Sequence, residues 1–160
     1  MLHKGLYIGK ARRSYRFKPI VELLIHEVNK VTNNDGLFGT IKDLMTIAAL
    51  IAYEKGLDPV PIDSVKGEKP HEIVAKNEWE NDWKNLSKIF ALAVAVEGDT
   101  DVVRQENEGR VIDIFEGYST AGLLYLEEKL NKSSDPYGDK AILDILDDIG
   151  VFNLEEESVA

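Results

Sequence analysis

The sequence contains no cysteine and comparatively few basic residues, and both shortages narrow the choice of protein class. Without cysteine the chain has no disulfide, no thiolate nucleophile and no cysteine-bound metal, so nothing points to an oxidising compartment. Lysine and arginine together number 19 against 29 aspartate and glutamate residues, which gives a formal net charge of −10. Because such a chain as a whole is repelled by a phosphate backbone, it is not a wholly basic nucleic-acid binder.

Long hydrophobic runs are also missing. The longest, Ile47 to Ala52 and Ile89 to Val96, are far shorter than the roughly 20 residues that a membrane-spanning helix needs. The start of the chain lacks the continuous apolar stretch of a signal peptide. We therefore expect a cytoplasmic protein with no membrane partner. With 160 residues and 44% hydrophobic content, a single domain over residues 1–160 is expected.

The charges that are present are concentrated at opposite ends of the chain. Residues 1–20 hold six basic side chains and no acidic one, whereas residues 135–160 hold eight acids and one lysine. We distinguish a basic arm, residues 1–16, and an acidic tail, residues 153–160. One interpretation of the basic start is a solvated segment, or one that packs on acidic surface of this or a neighbouring chain. The other is a phosphate-contacting segment that uses Arg12, Arg13, Arg16 and Lys18.

Hydrophobic residues recur with the 3.6-residue period of helices over most of the chain. The predicted helices cover residues 19–31, 41–52, 82–96, 109–130 and 141–149, with a short helical turn over residues 99–104. Thr40 followed by Asp43 is similar to a capping box, and the helix that it begins is apolar nearly all round. The pattern therefore predicts an all-α fold, one compact domain of five or six helices around a central apolar helix, with Lys42 and Asp43 exposed at its start.

The segment over residues 57–70 is predicted to be a proline-rich loop. It contains three of the five prolines, each of which fixes φ and removes a hydrogen-bond donor. A short extended piece is expected around residues 60–65. Further along, Gly117 and Gly122 interrupt a long helical pattern, where they predict a bend or a close approach of another helix.

No complete catalytic or metal-binding motif is found. His26-Glu27 and His71-Glu72 each begin like the helix of a zinc protease, but Lys30 and Ala75 stand where the second histidine ligand is needed. The small-residue run over residues 117–122 fails as a nucleophile elbow, because Ala121 stands where the elbow has glycine. It fails as a phosphate loop, because Leu123 and Leu124 follow Gly122 in place of lysine and serine or threonine. We therefore expect no catalytic residue, no metal and no cofactor.

Three further residue groups leave alternatives open. Trp79 and Trp83 lie four residues apart, which suits burial in a core or an interface and suggests base stacking only weakly. Runs of adjacent acids are typical of solvated helix faces. A metal-dependent nuclease remains the minor enzymatic alternative, and its candidate residues are Glu22, His26, Asp43 and Glu116.

Two stretches carry a resemblance to a known family. The first is Phe38-Gly39-Thr40-Ile41-Lys42-Asp43-Leu44-Met45-Thr46-Ile47-Ala48-Ala49, and the second is Ile114-Phe115-Glu116-Gly117-Tyr118-Ser119-Thr120-Ala121-Gly122-Leu123. They resemble the F-x-T-x-K-D-L and I-F-E-x-Y-x-x-x-G-L helices of the small proteins associated with bacterial DNA phosphorothioation (Dnd) systems. We call them the first and the second motif. The resemblance covers about residues 12–130 and leaves the acidic end of the chain outside.

The resemblance implies a non-enzymatic accessory protein of a prokaryotic DNA-modification or phage-defence system. Its partners would be protein components of a modification or restriction complex. The charges themselves add the hypothesis that Arg12, Arg13, Arg16, Lys18 and Lys42 contact a partner or a polyanion such as the DNA backbone. A different hypothesis is an acidic regulator or inhibitor, in which residues 135–157 occupy a basic surface of a partner. The sequence leaves the identity of the partner and the existence of a homo-oligomer open.

Overall fold

A computed structural model of the chain describes residues 12–13, 17–24, 38, 40–65, 71–72, 82–133 and 138–150. The fold is all-α, as the hydrophobic period predicts. The helices of the described residues are α1 (Lys18–Leu24), α2 (Ile41–Glu54), α3 (Trp83–Glu97), α4 (Glu108–Lys132) and α5 (Asp139–Asp148). Short 3-10 turns cover Ile62–Ser64, Thr100–Val103 and Gln105–Asn107. A pair of two-residue strands, β1 (Arg12–Arg13) and β2 (His71–Glu72), runs antiparallel with Arg12 opposite Glu72.

The ends of α2 and α3 follow from local sequence signals. The Thr40 side chain accepts a hydrogen bond from the Asp43 backbone N–H at 3.2 Å, which confirms the predicted cap of α2. Asp82 caps α3 in the same way, through the backbone N–H of Asn85 at 3.2 Å. Gly98 ends α3 with φ at 71°, a left-handed conformation that glycine adopts without the steric cost of a Cβ.

The hydrophobic core lies where these helices meet. Helix α2 packs against α1, α3 and α4, and α4 also packs against α3 and α5. Each helix contributes large side chains that are fully or almost fully buried. They include Leu24 of α1, Leu44, Met45 and Ile51 of α2, Leu86 and Ile89 of α3, Phe115, Leu123 and Leu126 of α4, and Ile142 and Ile145 of α5.

Helices α2 and α4 approach each other closely at Gly122. A Cβ atom at this position would overlap the carbonyl group of Ala48 and lie 2.9 Å from its Cα. Only a residue without a side chain allows the two backbones to come this near. At Gly117 a Cβ would lie 3.0 Å from the Cβ of Pro59. Gly122 therefore stands at the predicted close approach of another helix, whereas Gly117 contacts the proline-rich loop and not a helix.

The structure corrects two expectations, an extended piece around residues 60–65 and burial of Trp83 in the core. The segment around residues 60–65 is not extended, because Ser64 and Val65 donate backbone hydrogen bonds to Pro61 and Ile62 and so close a 3-10 turn. Pro61 has no N–H to contribute to a strand ladder, and Ile62 turns into the protein and is buried. Trp83 does not belong to the core, since it is 61% exposed; its burial in an interface remains open, and Trp79 lies outside the described residues.

The structure describes several other predicted segments only in part. Helix α1 is seen as far as Leu24, and residues 25–37 lie outside the described part, as do residues 66–70 of the loop and 153–160 of the acidic tail. Where the structure describes a helix, that helix is too short or too polar to cross a membrane.

Candidate functional site

Polar side chains of the first motif join the N-terminal ends of α2 and α3. The Asn85 side-chain amide donates one hydrogen bond to Asp43 and one to Asp82, each at 2.9 Å. Asp82 is the cap of α3, and Asp43 belongs to the first turn of α2. The amide therefore links the two helix starts directly. We call Thr40, Lys42, Asp43, Asp82 and Asn85 the cap network.

Lys42 belongs to this network and is not exposed as the sequence analysis expects. Its Nζ lies 2.8 Å from a carboxylate oxygen of Asp82, and both side chains are only 14% exposed. Asp43 is also partly buried, and Lys84 lies 3.5 Å from its carboxylate. The expectation fails because the opposing carboxylate comes from a residue 40 positions further along the chain, a pairing that local sequence cannot reveal. Contact between Lys42 and a partner or polyanion remains a prediction.

The electrostatics of the cap network favour its charged form. Burial alone would raise the pKa of Asp43, but the hydrogen bond from Asn85 and the charge of Lys84 outweigh it, so the pKa is lowered from 3.8. Burial opposes ionisation of Asp82 as well, and hydrogen bonds from Asn85 and Lys42 again leave its pKa lowered. Both carboxylates therefore stay ionised at neutral pH and hold α2 against α3.

The second motif packs onto the helix that the first motif begins. The Ser119 hydroxyl is fully buried and donates a hydrogen bond to the backbone carbonyl of Met45 at 3.0 Å. Gly122 lies against Ala48, one turn further along both helices. Tyr118 meets Tyr53 edge to face, with the ring centres 6.1 Å apart. The two motifs therefore form the two sides of one helix–helix interface.

Glu116 of the second motif is the one carboxylate in the described residues that is almost completely buried, with 3% of its surface exposed. Together with Gly117 it lines a pocket of about 270 Å³ beside the proline-rich loop. The pocket wall is apolar, and its polar groups are mainly acidic. Its other lining residues are Pro59, Pro61, Ile62, Asp63, Arg110 and Asp113.

The remaining predicted contact residues lie at the edge of the described part. For Arg12 and Arg13 the structure gives the backbone of β1, and for Lys18 the backbone of α1. Arg16 lies outside the described residues. The structure therefore neither gathers these four cations into a surface nor separates them, and their contact with a polyanion remains a prediction.

The residues proposed for a metal-dependent enzyme are not brought together where the structure describes them. Asp43 is tied to α3 through Asn85, whereas Glu116 is buried in α4 next to Pro59 and Pro61. Over the described residues, no three potential metal ligands form a group that could hold an ion. His26 and the side chain of Glu22 lie outside what the structure describes.

Sequence analysis missed Asp82 and Asn85 as functional partners of the first motif. The sequence does contain a signal for Asp82, since an aspartate at the start of a predicted helix is a common N-cap. Asn85 carries no such signal, because its role depends on a contact with Asp43 across 42 positions in the sequence. The burial of Glu116 was also missed, because its position in an amphipathic pattern does not reveal the neighbouring loop.

Taken together, fold and site define a small all-α protein whose two motifs pack its helices against one another. The chain belongs to the family described as DNA sulphur modification system-associated protein 4, whose model matches residues 20–157. This match confirms the resemblance to Dnd-associated proteins. Comparison with curated proteins and with solved structures gave no significant match.

The extent of the family match differs from the expected one. It includes α5 and most of the acidic end of the chain, which the sequence analysis left outside the resemblance. It begins at Ile20, so Arg12, Arg13, Arg16 and Lys18 all lie before it. Most of the acidic end thus lies inside the matched region, and the basic start lies outside it.

Proposed function

We propose that this protein is a non-enzymatic accessory component of a DNA sulphur modification system, which acts in the cytoplasm by binding protein components of that system. The observation that carries the proposal is the structural use of both motifs. Lys42 and Asp43 hold α2 to α3, and Ser119 and Gly122 hold α2 to α4. Chemistry shared by the family would be expected at such positions if the protein were an enzyme. Their role in packing instead favours a scaffold that presents a surface.

The charge of that surface suits a basic partner. Along the connection between α3 and α4, Asp99 and Glu106 are exposed. The two arginines of this region do not offset them, because Arg104 pairs with Asp101 at 2.9 Å and Arg110 pairs with Glu97. Unbalanced acids on an acidic chain attract a partner that carries positive charge and repel nucleic acid.

A tagged pull-down from cells that carry the native operon tests the proposal. The wild-type protein is compared with Asp99→Lys/Glu106→Lys, and each lysate is divided into arms with and without nuclease. We expect a modification or restriction subunit that is recovered with the wild-type protein in both arms and that is reduced with the variant. Recovery of nucleic acid alone, or loss of the protein partner on nuclease treatment, would contradict a direct protein contact.

We further propose that the basic N-terminal segment contacts the DNA backbone. The backbone pairing of Arg12–Arg13 with His71–Glu72 attaches this basic segment to the folded body, which supports a defined position for it. If the segment binds phosphate, changing Arg12, Arg13 and Arg16 to alanine should weaken DNA binding equally for all sequences. The slope of log affinity against log salt should also flatten by about 0.9 for each lost contact. Lys129→Ala/Lys132→Ala/Lys140→Ala removes three positive charges elsewhere and is the matched control, and equal loss with the control would contradict a role of the N-terminus.

A second candidate function is an acidic regulator or inhibitor that occupies a basic surface of a partner. It is favoured by α5, which exposes Asp144 and Asp147, and by the family match over the acidic end. Deleting residues 153–160 should then abolish the complex found in the pull-down, whereas Asp99→Lys/Glu106→Lys should leave it intact. The opposite pattern would favour the connection between α3 and α4 as the binding surface.

A further inference from the structure

The outer surface of α3 is unusual for so acidic a chain. Trp83 is 61% exposed and the Lys84 side chain is 71% exposed. Lys88 follows one turn after Lys84 and is partly exposed, and Ala91 and Ala95 continue the outer surface in solvent. From Trp83 to Val96 the helix contains no acidic residue. We call Trp83, Lys84, Lys88, Ala91 and Ala95 the α3 face; it combines a large exposed aromatic ring at the start of the helix with the positive charges of Lys88 and of Lys84, which also lies 3.5 Å from Asp43 of the same chain.

Helix α5 presents a surface of the opposite character. Leu143 is 47% exposed, which is high for a leucine in an amphipathic helix. Lys140, Asp144 and Asp147 are exposed as well, and their spacing places them with Leu143 on one side of the helix. We call these four residues the α5 face. It combines an exposed aliphatic side chain with two carboxylates.

We propose that copies of this protein associate through the α3 face of one copy and the α5 face of another. Each face places charged side chains beside an exposed apolar one. The α3 face carries two lysines, and the α5 face carries two carboxylates and Lys140, so its net charge is negative. Lys84 and Lys88 can approach Asp144 and Asp147 while Trp83 covers Leu143. Aromatic anchors inside a charged rim are typical of residues that dominate binding energy.

The two faces are different surfaces of the chain, so the contact is heterologous. Repeated association then closes into a ring or continues as an open assembly. Helix α5 has ten residues and is about 15 Å long, so the contact is smaller than the roughly 800 Å² per partner of a standard interface. The association is therefore weak, and oligomers are populated only at high protein concentration. It does not depend on the proposed function, because the test needs only the purified chain.

Sedimentation equilibrium over about 10 μM to 1 mM is the measurement, since weak contacts have dissociation constants in this range. The wild-type protein should show an average mass that rises with concentration. Lys84→Glu/Lys88→Glu gives a chain whose two faces are both acidic, and Asp144→Lys/Asp147→Lys gives one whose two faces are both basic. Each variant alone should associate at least about tenfold more weakly, because like charges then face each other.

A mixture of the two variants tests directly whether opposite charges on the two faces drive association. Every acidic face of one chain then meets a basic face of the other, so association should return to near the wild-type level. Glu54→Lys/Asp58→Lys changes exposed acids at the end of α2 by the same charge and is the matched control, for which no change is expected. Trp83→Ala should weaken association without a large change in the melting temperature, since its ring is mostly in solvent.

A protein that stays monomeric at all concentrations would overturn the proposal. So would association that survives both charge reversals, or a mixture of the two variants that fails to associate. If Trp83→Ala instead abolishes capture of a partner in the pull-down while the purified chain is monomeric, the α3 face binds that partner and not a second copy.

Discussion

The close approach at Gly122 gives a sharp prediction about stability. In Gly122→Ala the new Cβ would overlap the Ala48 carbonyl group, which is part of the α2 backbone and cannot move aside as a flexible side chain can. Helices α2 and α4 must then separate, and overpacking of this kind costs about 3 kcal/mol or more. The higher helix propensity of alanine relative to glycine offsets about 1 kcal/mol of this loss in the free energy of unfolding. We expect a net loss of roughly 2 to 4 kcal/mol, which lowers Tm by roughly 5 to 15 °C for a chain of this size.

The same helix supplies matched controls. A Cβ at Gly109 would meet no atom within 4 Å, so Gly109→Ala should be neutral or more stable by up to about 1 kcal/mol. Gly117→Ala should fall between the two, because its Cβ would lie 3.0 Å from a proline side chain. Urea unfolding followed by circular dichroism measures all three. Equal stability of Gly122→Ala and Gly109→Ala would refute the close packing of α2 on α4.

Three further predictions concern the core and the cap network. Leu44→Asp should unfold the domain, because Leu44 is fully buried and a charge there cannot be solvated; a cooperative thermal transition would contradict this. Ser119→Ala should lower the free energy of unfolding by about 1 kcal/mol, measured in urea, because it removes one buried hydrogen bond. The lowered pKa values of Asp43 and Asp82 stabilise the folded state above their ordinary value of 3.8, and this contribution is lost as the pH falls through the lower folded values. Asn85→Ala should make that acid-induced loss smaller in a pH series of Tm values, and an unchanged profile would contradict the network.

Much of the helical architecture could be predicted because its signals are local. The start of α2 follows from Thr40 and Asp43, and the end of α3 from Gly98. These residues satisfy the free backbone groups of a helix end, which depends on neighbours within one turn. The sequence predicts an extended segment where the structure has the turn at Ile62–Ser64. The prediction fails because the conformation of this turn depends on burial of Ile62 against the rest of the fold. Where tertiary contact decides the backbone, local propensity is a weak guide.

The candidate site could be predicted less well, and Lys42 shows the reason. Near the start of an apolar helix, a lysine is expected to point into solvent. Here a carboxylate at the start of α3 holds it in a partly buried ion pair, and Asn85 completes the arrangement. Nothing in the sequence around Lys42 indicates either partner. The role of a charged side chain is set by what packs opposite it, and that information lies outside its own helix.

The arrangement of the motifs separates stability from binding in a way that experiments can use. Ser119 and Gly122 of the second motif contact Met45 and Ala48 of the first, so substitutions within either motif act on the same interface and should not be additive. Exposed residues such as Glu106 lie outside this interface, so their charge can be changed without disturbing it. Loss of a partner through a motif substitution should therefore follow the loss of folded protein, whereas loss through a surface charge reversal should occur with Tm unchanged. If the two kinds of substitution cannot be told apart in this way, the motifs take part in binding directly and the scaffold interpretation is wrong.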